Sequence, residues 1–218
     1  MTLGELIVLV RDELDDAKAP YLWSDQELVE FAADAENEAA RRARLLTDST
    51  TPAICTINVV ANVAEYSLDS RVLFIKRATL DSEKIHRASY RDLDEHLTKW
   101  AVDTGVVTHF ITDLNTDKIR LYPIPKVTGT INLTVVRLPL TELNATDDKI
   151  EIKLHYQRAL RHWCIYRAYL KQDSEAFNKG SAAEALALFE KEFGKKSSAL
   201  DEEWIEREQA QNPYNGVF

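Results

Sequence analysis

The sequence predicts an α+β fold, a discontinuous α-helical bundle with a small antiparallel β-sandwich or barrel-like domain inserted into it. Three observations predict it. Apolar residues recur at three-to-four-residue steps near both ends of the chain, the period of an amphipathic helix. Between them, residues 51–140 are rich in Val, Ile and Thr and alternate apolar with polar, the period of a strand. Because each flanking helix has an apolar stripe to bury, the helices before and after the β block are expected to pack together. The expected division is 1–50 helical, 51–146 inserted β domain, 147–207 helical, and 208–218 an extended tail.

The first helix rests on the stripe Leu3, Leu6, Ile7, Val10 and Leu14, about four turns, and Pro20 ends that region by removing a backbone donor. The second has the clearest start signal in the chain. Ser24 is a fitting N-cap, Glu27 completes a capping box, and Trp23 with Leu28 occupies the positions of a hydrophobic staple. Its face continues through Phe31, Ala32, Ala35, Ala39, Ala43 and Leu46, which predicts a helix over 24–46 of roughly 35 Å. Arg41, Arg42 and Arg44 near its end suit the helix dipole and are also candidate contacts to a partner or to DNA.

Strands are expected at 54–59, 65–68, 72–79, 108–112, 118–122 and 130–138, with turns at 114–117 and 127–129. A short helix is expected over 90–100, carrying Leu93 and Leu97 on one side with Trp100 a turn beyond. A single amphipathic helix is expected over 150–171, where Ile152, Tyr156, Ala159, Trp163 and Leu170 mark the stripe and Leu160, Tyr166 and Tyr169 widen it. Beyond it, Gly180 predicts a kink and Ser181 with Glu184 a second capping box. The stripe Leu186, Phe189, Phe193, Leu200 and Trp204 then predicts a kinked helix to about residue 207, and Pro213 ends the helical period.

The chain has 218 residues, 45% of them apolar, and a formal charge of -9, which argues against a general nucleic-acid-binding surface because phosphate contacts need clustered Lys and Arg. No signal peptide or membrane span is read in the N-terminal apolar run. Cys164, between Trp163 and Ile165, reads as a buried small hydrophobe, and it has no close spacing to Cys55 that would suggest a metal site.

Glycine-rich nucleotide loops, zinc motifs and nucleophile elbows are missing from the sequence. His155 and His162 are too far apart on a helix to share a metal without further ligands, and His86, His96 and His109 read as structural or surface groups. The acidic clusters Asp92, Asp94, Glu95 and Asp201, Glu202, Glu203, Glu206 read as solvated. No catalytic residue, metal or cofactor is therefore expected. Trp100 and Trp204 are candidate interface anchors, as are Tyr169 on the flank of the long stripe and Tyr214 and Phe218 in the tail.

The segment WSDQELVEFAADAENEA at 23–39, AEYSL at 64–68, KIRLYPIP at 118–125, TINLTVVRLP at 130–139 and the helical stretch 152–170, in that order and spacing, resemble the head-to-tail adaptor proteins of tailed bacteriophages. The resemblance covers about residues 3–195; a proline often found before the third main helix is replaced by Asp147-Asp148-Lys149-Ile150. It implies a structural virion protein at the head-tail junction, made in the host bacterial cytoplasm. Such a protein forms a ring under the portal, commonly of twelve copies, helps retain packaged DNA and offers the surface to which tail or nozzle proteins attach. The implied partners are the portal protein, tail proteins, further copies of the chain, and double-stranded DNA passing through the lumen without specific binding. The subunit can be a monomer before it meets the portal, and no membrane is implied. A tail-completion or neck protein of another layer is the alternative, and a cell-wall-degrading virion enzyme a second one that no residue pair supports. The charge would then make the lumen acidic, repelling phosphates.

Overall fold

The computed structural model describes residues 1–173 and 176–198. It is a mixed α+β fold, several helices with a curled, half-barrel-like sheet inserted between them. Met1–Leu46 and Leu138–Lys196 form one compact unit, and Thr47–Arg137 belong to a second.

Helix α1 (Leu3–Glu13) is three turns rather than four, and buries Leu3, Leu6, Ile7 and Val10. Its start is a capping box: the Thr2 hydroxyl accepts from the Glu5 N–H, and the Glu5 carboxylate accepts from the Thr2 N–H. Helix α2 (Asp25–Ala43) begins with the expected Ser24 and Glu27 box, and both staple residues, Trp23 and Leu28, are buried in one core. It ends three residues earlier than the stripe suggests. Arg44 turns into the left-handed region at φ 50°, and the following backbone is drawn into a strand. Between the two helices the buried Arg11 guanidinium donates to Asp16 at 2.5 Å, to Asp25 at 2.7 Å and to the Trp23 carbonyl at 3.0 Å, which fixes the linker.

Among the described residues the second unit contains ten strands and two short helices, β1 (Thr47–Asp48), α3 (Pro52–Cys55), β2 (Thr56–Val59), β3 (Glu65–Ser67), β4 (Val72–Leu80), β5 (Glu83–Arg87), α4 (Tyr90–His96), β6 (Thr104–Gly105), β7 (His109–Ile111), β8 (Lys118–Tyr122), β9 (Ile124–Pro125) and β10 (Gly129–Arg137). The main sheet runs β1-β10-β4-β5-β7-β8-β3, and β2 also pairs with β10. All its pairs are antiparallel except β5 with β7. Several features depart from the sequence reading; the strand expected over 54–59 begins only at Thr56, because Pro52 at the first helical position starts a single turn that takes in Ile54 and Cys55. Strand β5 carries few apolar residues, so periodicity misses it, and the turn at 127–129 does not join neighbours: β8 pairs with β3 and β7, whereas β10 pairs with β4, β2 and β1. The helix expected over 90–100 stops at His96.

Strand β10 is the axis of this unit. Ile131, Leu133 and Val135 enter the core with Ile75, Ala78, Ile85, Phe110, Ile119 and Leu121. Register shifts at 134/135 and 136/137 bend it. At its start a side chain on Gly129 would collide with the Asp81 carboxylate, which accepts the Thr130 N–H at 2.8 Å. At its end Arg137 forms a buried ion pair with Asp48 at 2.7 Å.

The helical unit resumes with α5 (Leu154–Gln157), α6 (Leu160–Tyr169) and α7 (Lys179–Phe193). The single helix expected over 150–171 is therefore broken. Residues 150–152 are not helical, and Ile150 and Ile152 are buried on either side of the exposed Glu151, a period of two. Side chains hold the backbone there. The buried Glu36 carboxylate of α2 accepts the N–H groups of Glu151 and Ile152, and the Gln157 amide donates to the carbonyls of Ile150 and Ile152 at 3.0 and 2.7 Å. The last helix also differs from expectation. Asn178, not Ser181, is its N-cap, so Gly180 lies in the first turn instead of at a kink, and Gly194 with φ 85° terminates it. Leu200 and Trp204 lie outside the described residues.

Candidate interaction surfaces

The basic cluster at the end of α2 is organised by Glu38. Arg42 Nε donates to Glu38 at 2.8 Å and Arg41 Nη2 at 3.0 Å. Burial raises the Glu38 pKa, but the two guanidiniums outweigh it and the net shift is downward. The Arg42 side chain is only 4% exposed, and its guanidinium lies over the rings of Trp163 and Phe189 at 5.0 and 5.3 Å. Its charge thus closes the core of the helical unit. Arg41 is half-buried, and Arg44 is the left-handed cap of the helix.

Trp163, buried, is the hub beneath Arg42. Its ring lies 5.0 Å from Phe189 of α7 and 5.3 Å from Tyr166, and Phe189 lies 4.7 Å from Phe193. Tilted aromatic packing of this kind explains the broad stripe of α6: one side faces α2 and another α7. Tyr169 is half-buried against the same core, and its backbone carbonyl accepts the N–H of Asn178, the cap of α7.

Trp100 is not an exposed anchor. It is 7% exposed, donates through Nε1 to Asp94 at 2.6 Å, meets Tyr122 edge-on and lies under Arg120. Burial in a small cluster with Ala88, Leu93 and Ile111 accounts for it. Trp204, Tyr214 and Phe218 lie outside the described residues.

The histidines divide by environment. His86 and His109 are partners across the parallel β5–β7 pair, with rings 6.0 Å apart; burial and then the neighbouring His86 lower the pKa of His109. Burial, followed by Arg161, lowers that of His162. The break in the helix separates His155 from His162. Among the described residues no group of three His, Cys, Asp or Glu side chains could hold a metal, and no helix is long and apolar enough to cross a membrane.

Two apolar surfaces were not foreseen. On the helical unit, Met1, Val8 and Leu9 of the α1 region and Leu154 of α5 line an open groove of about 610 Å³, rimmed by Glu5, His155, Gln157 and Arg158. Val8 is 58% and Leu154 73% exposed. The run Leu6-Ile7-Val8-Leu9-Val10 was the available signal, because five consecutive apolar residues necessarily wrap beyond one face of a helix. On the β unit, Val60, Val63, Val106 and Val127 are exposed on loops. There the Tyr66 hydroxyl bonds to the backbone of Val60 and Val63, and Asn62 N–H donates to Pro125 at 2.7 Å.

A family model described as SU10 adaptor protein matches residues 1–215. No curated protein matches the chain.

Proposed function

The chain belongs to the SU10 adaptor protein family, and on that premise we propose that it closes into a ring beneath the portal, twelve copies in the virion. Membership gives it a structural head-to-tail connector role at the junction of head and tail, with portal and tail as its interaction partners. The role is structural, not catalytic, which removes the cell-wall-degrading alternative. The near full-length match carries the proposal. Exposed apolar side chains on the outside of the helical unit, Val8, Leu154 and Leu188, support it, because they are surface that a neighbour would cover.

In this reading Arg41, Arg44 and Tyr169 contribute to subunit or portal contacts, together with Trp204, Tyr214 and Phe218 of the C-terminal segment. Arg42 and Trp100 act within the subunit, since their side chains are already enclosed. A net charge of -9 per copy gives a strongly acidic ring, whose lumen lets DNA pass without adhering. A ring whose lumen is lined mainly by Lys and Arg would refute that last point.

Negative-stain imaging of the chain mixed with its portal tests the proposal. A ring seated under the portal with matching symmetry is expected, and folded Tyr169→Ala protein is expected to bind the portal poorly. Monomers that never bind the portal would overturn the proposal, and attachment to the tail tube alone would favour a neck protein of another layer.

A further inference from the structure

A closed ring requires two different, complementary patches on every subunit, because its contacts run head to tail. The groove beside α1 and α5 is one apolar surface that the described residues leave uncovered. The outer line of α7 is a second. Glu184, Leu188 and Glu192 are four residues apart and so stand in a row, with Leu188 46% exposed and the small exposed side chains Ala183 and Ala187 beside it. Helices α1 and α7 each pack on α2 and α6, so the outer faces of α1 and α7 are separate surfaces of one bundle.

Their chemistry is complementary. The groove offers Val8, Leu9 and Leu154 with Arg158 at its rim, where the Glu5 carboxylate is engaged by the Thr2 N–H, and α7 offers one leucine between two glutamates. Among the described residues Arg158, Glu184 and Glu192 form no ion pair, although cations elsewhere in the unit do, as in Arg161 with Glu13, Lys171 with Glu27 and Arg167 with Asp34. The exposed Ala183 and Ala187 let a second helix approach closely.

We infer that the outer face of α7 in one copy of this chain docks in the α1/α5 groove of the next. Leu188 seats against Val8, Leu9 and Leu154, and the flanking glutamates face Arg158. This rests on the ring reading above and names its contact. The contact is heterologous, so it propagates from copy to copy and closes only as a ring, unlike a groove-to-groove pairing, which would stop at a dimer.

Thiol cross-linking of the full chain tests it. The native cysteines, Cys55 and Cys164, are buried, so a Val8→Cys/Leu188→Cys double variant adds the only exposed thiols among the described residues. With the protein assembled alone or on its portal and treated with a short bismaleimide, the double variant should give a ladder of multimers and each single variant none. Rings seen by negative stain without a ladder would overturn the contact and leave the ring standing. Dimers from a single variant would show groove-to-groove or α7-to-α7 pairing and also overturn it. Failure to form any ring, with or without portal, would sink the ring reading and this contact together. As a second reading, Arg158→Glu should lower ring formation about tenfold or more with the fold intact, and adding Glu184→Arg and Glu192→Arg to the same chain should restore it. Arg158→Glu rings as abundant as those of the unaltered chain, or an absence of rescue, would refute the charge pairing.

Discussion

Replacing Trp163 by alanine should destabilise the helical unit far more than replacing it by phenylalanine, and the structure sets both magnitudes. The indole is buried between α6 and α7, 5.0 Å from Phe189 and 5.3 Å from Tyr166, with the Arg42 guanidinium 5.0 Å above it. Truncating a buried Trp to Ala costs about 3–5 kcal/mol, and losing a desolvated cation–π contact adds about 1–2 kcal/mol. One effect opposes these. Among the described residues Trp163 Nε1 is buried without a hydrogen-bond partner, and removing such a donor returns about 1–3 kcal/mol. The net for Trp163→Ala is a loss of about 3 kcal/mol, which for a unit of this size lowers the melting midpoint by about 10 °C or more. Trp163→Phe keeps a ring for Phe189 and Arg42 and deletes the orphan N–H, so it should stay within about 1 kcal/mol of the unaltered chain. Urea unfolding followed by circular dichroism at 222 nm, chiefly a helix signal, measures both. An Arg42→Ala, Trp163→Ala double-mutant cycle then isolates the cation–π coupling. A folded Trp163→Ala protein with an unchanged midpoint, or a Trp163→Phe protein as unstable as Trp163→Ala, would refute the reasoning.

The Asp48–Arg137 pair makes a pH prediction for the β unit. Burial acts to raise the Asp48 pKa, but the hydroxyl and N–H of Thr51, the N–H of Thr50 and Arg137 outweigh it and hold the carboxyl well below the ordinary 3.8. A folded-state pKa below the unfolded one stabilises the fold above pH 3.8 and loses that contribution as pH falls below it. Asp48→Asn should therefore cost about 3–5 kcal/mol at pH 7 by removing the buried carboxylate that pairs with Arg137. The gap to the unaltered chain should narrow on acidification, in unfolding midpoints measured between pH 7 and pH 3, and a constant gap would contradict the assignment. The thiols make a simpler one. Cys164 is fully buried and its pKa is pushed up to about 12 by burial, and burial raises that of Cys55 as well. Native protein should be silent to a thiol-titrating disulfide reagent at pH 8 and show two equivalents once denatured; fast labelling of the native chain would show that these sites open.

What the sequence by itself determined is local. The Ser24–Glu27 capping box, the Trp23–Leu28 staple and the start of α2 follow from residues within five positions of one another, and the strand blocks follow from alternation along single runs. The α+β class follows from those periods alone. The tertiary structure decided whatever depends on groups distant in the chain. A sound helical pattern over 150–171 gives way to non-helical backbone at 150–152, where Glu36, 115 residues from Glu151, accepts two backbone N–H groups and the Gln157 amide donates to the carbonyls of Ile150 and Ile152 that a helix would have used for its own bonds. Arg42 looks like a surface cation until α6 and α7 bring Trp163 and Phe189 beneath it, and Trp100 looks free until Asp94, Tyr122 and Arg120 enclose it. The edge of β5 finds β7 across α4 by backbone hydrogen bonds that carry no side-chain signature. Conversely Val8, Leu154 and Leu188 are apolar residues that the described part of this chain leaves uncovered. Periodicity reports which residues prefer to leave water, whereas only packing reports whether their own chain has a partner to offer them.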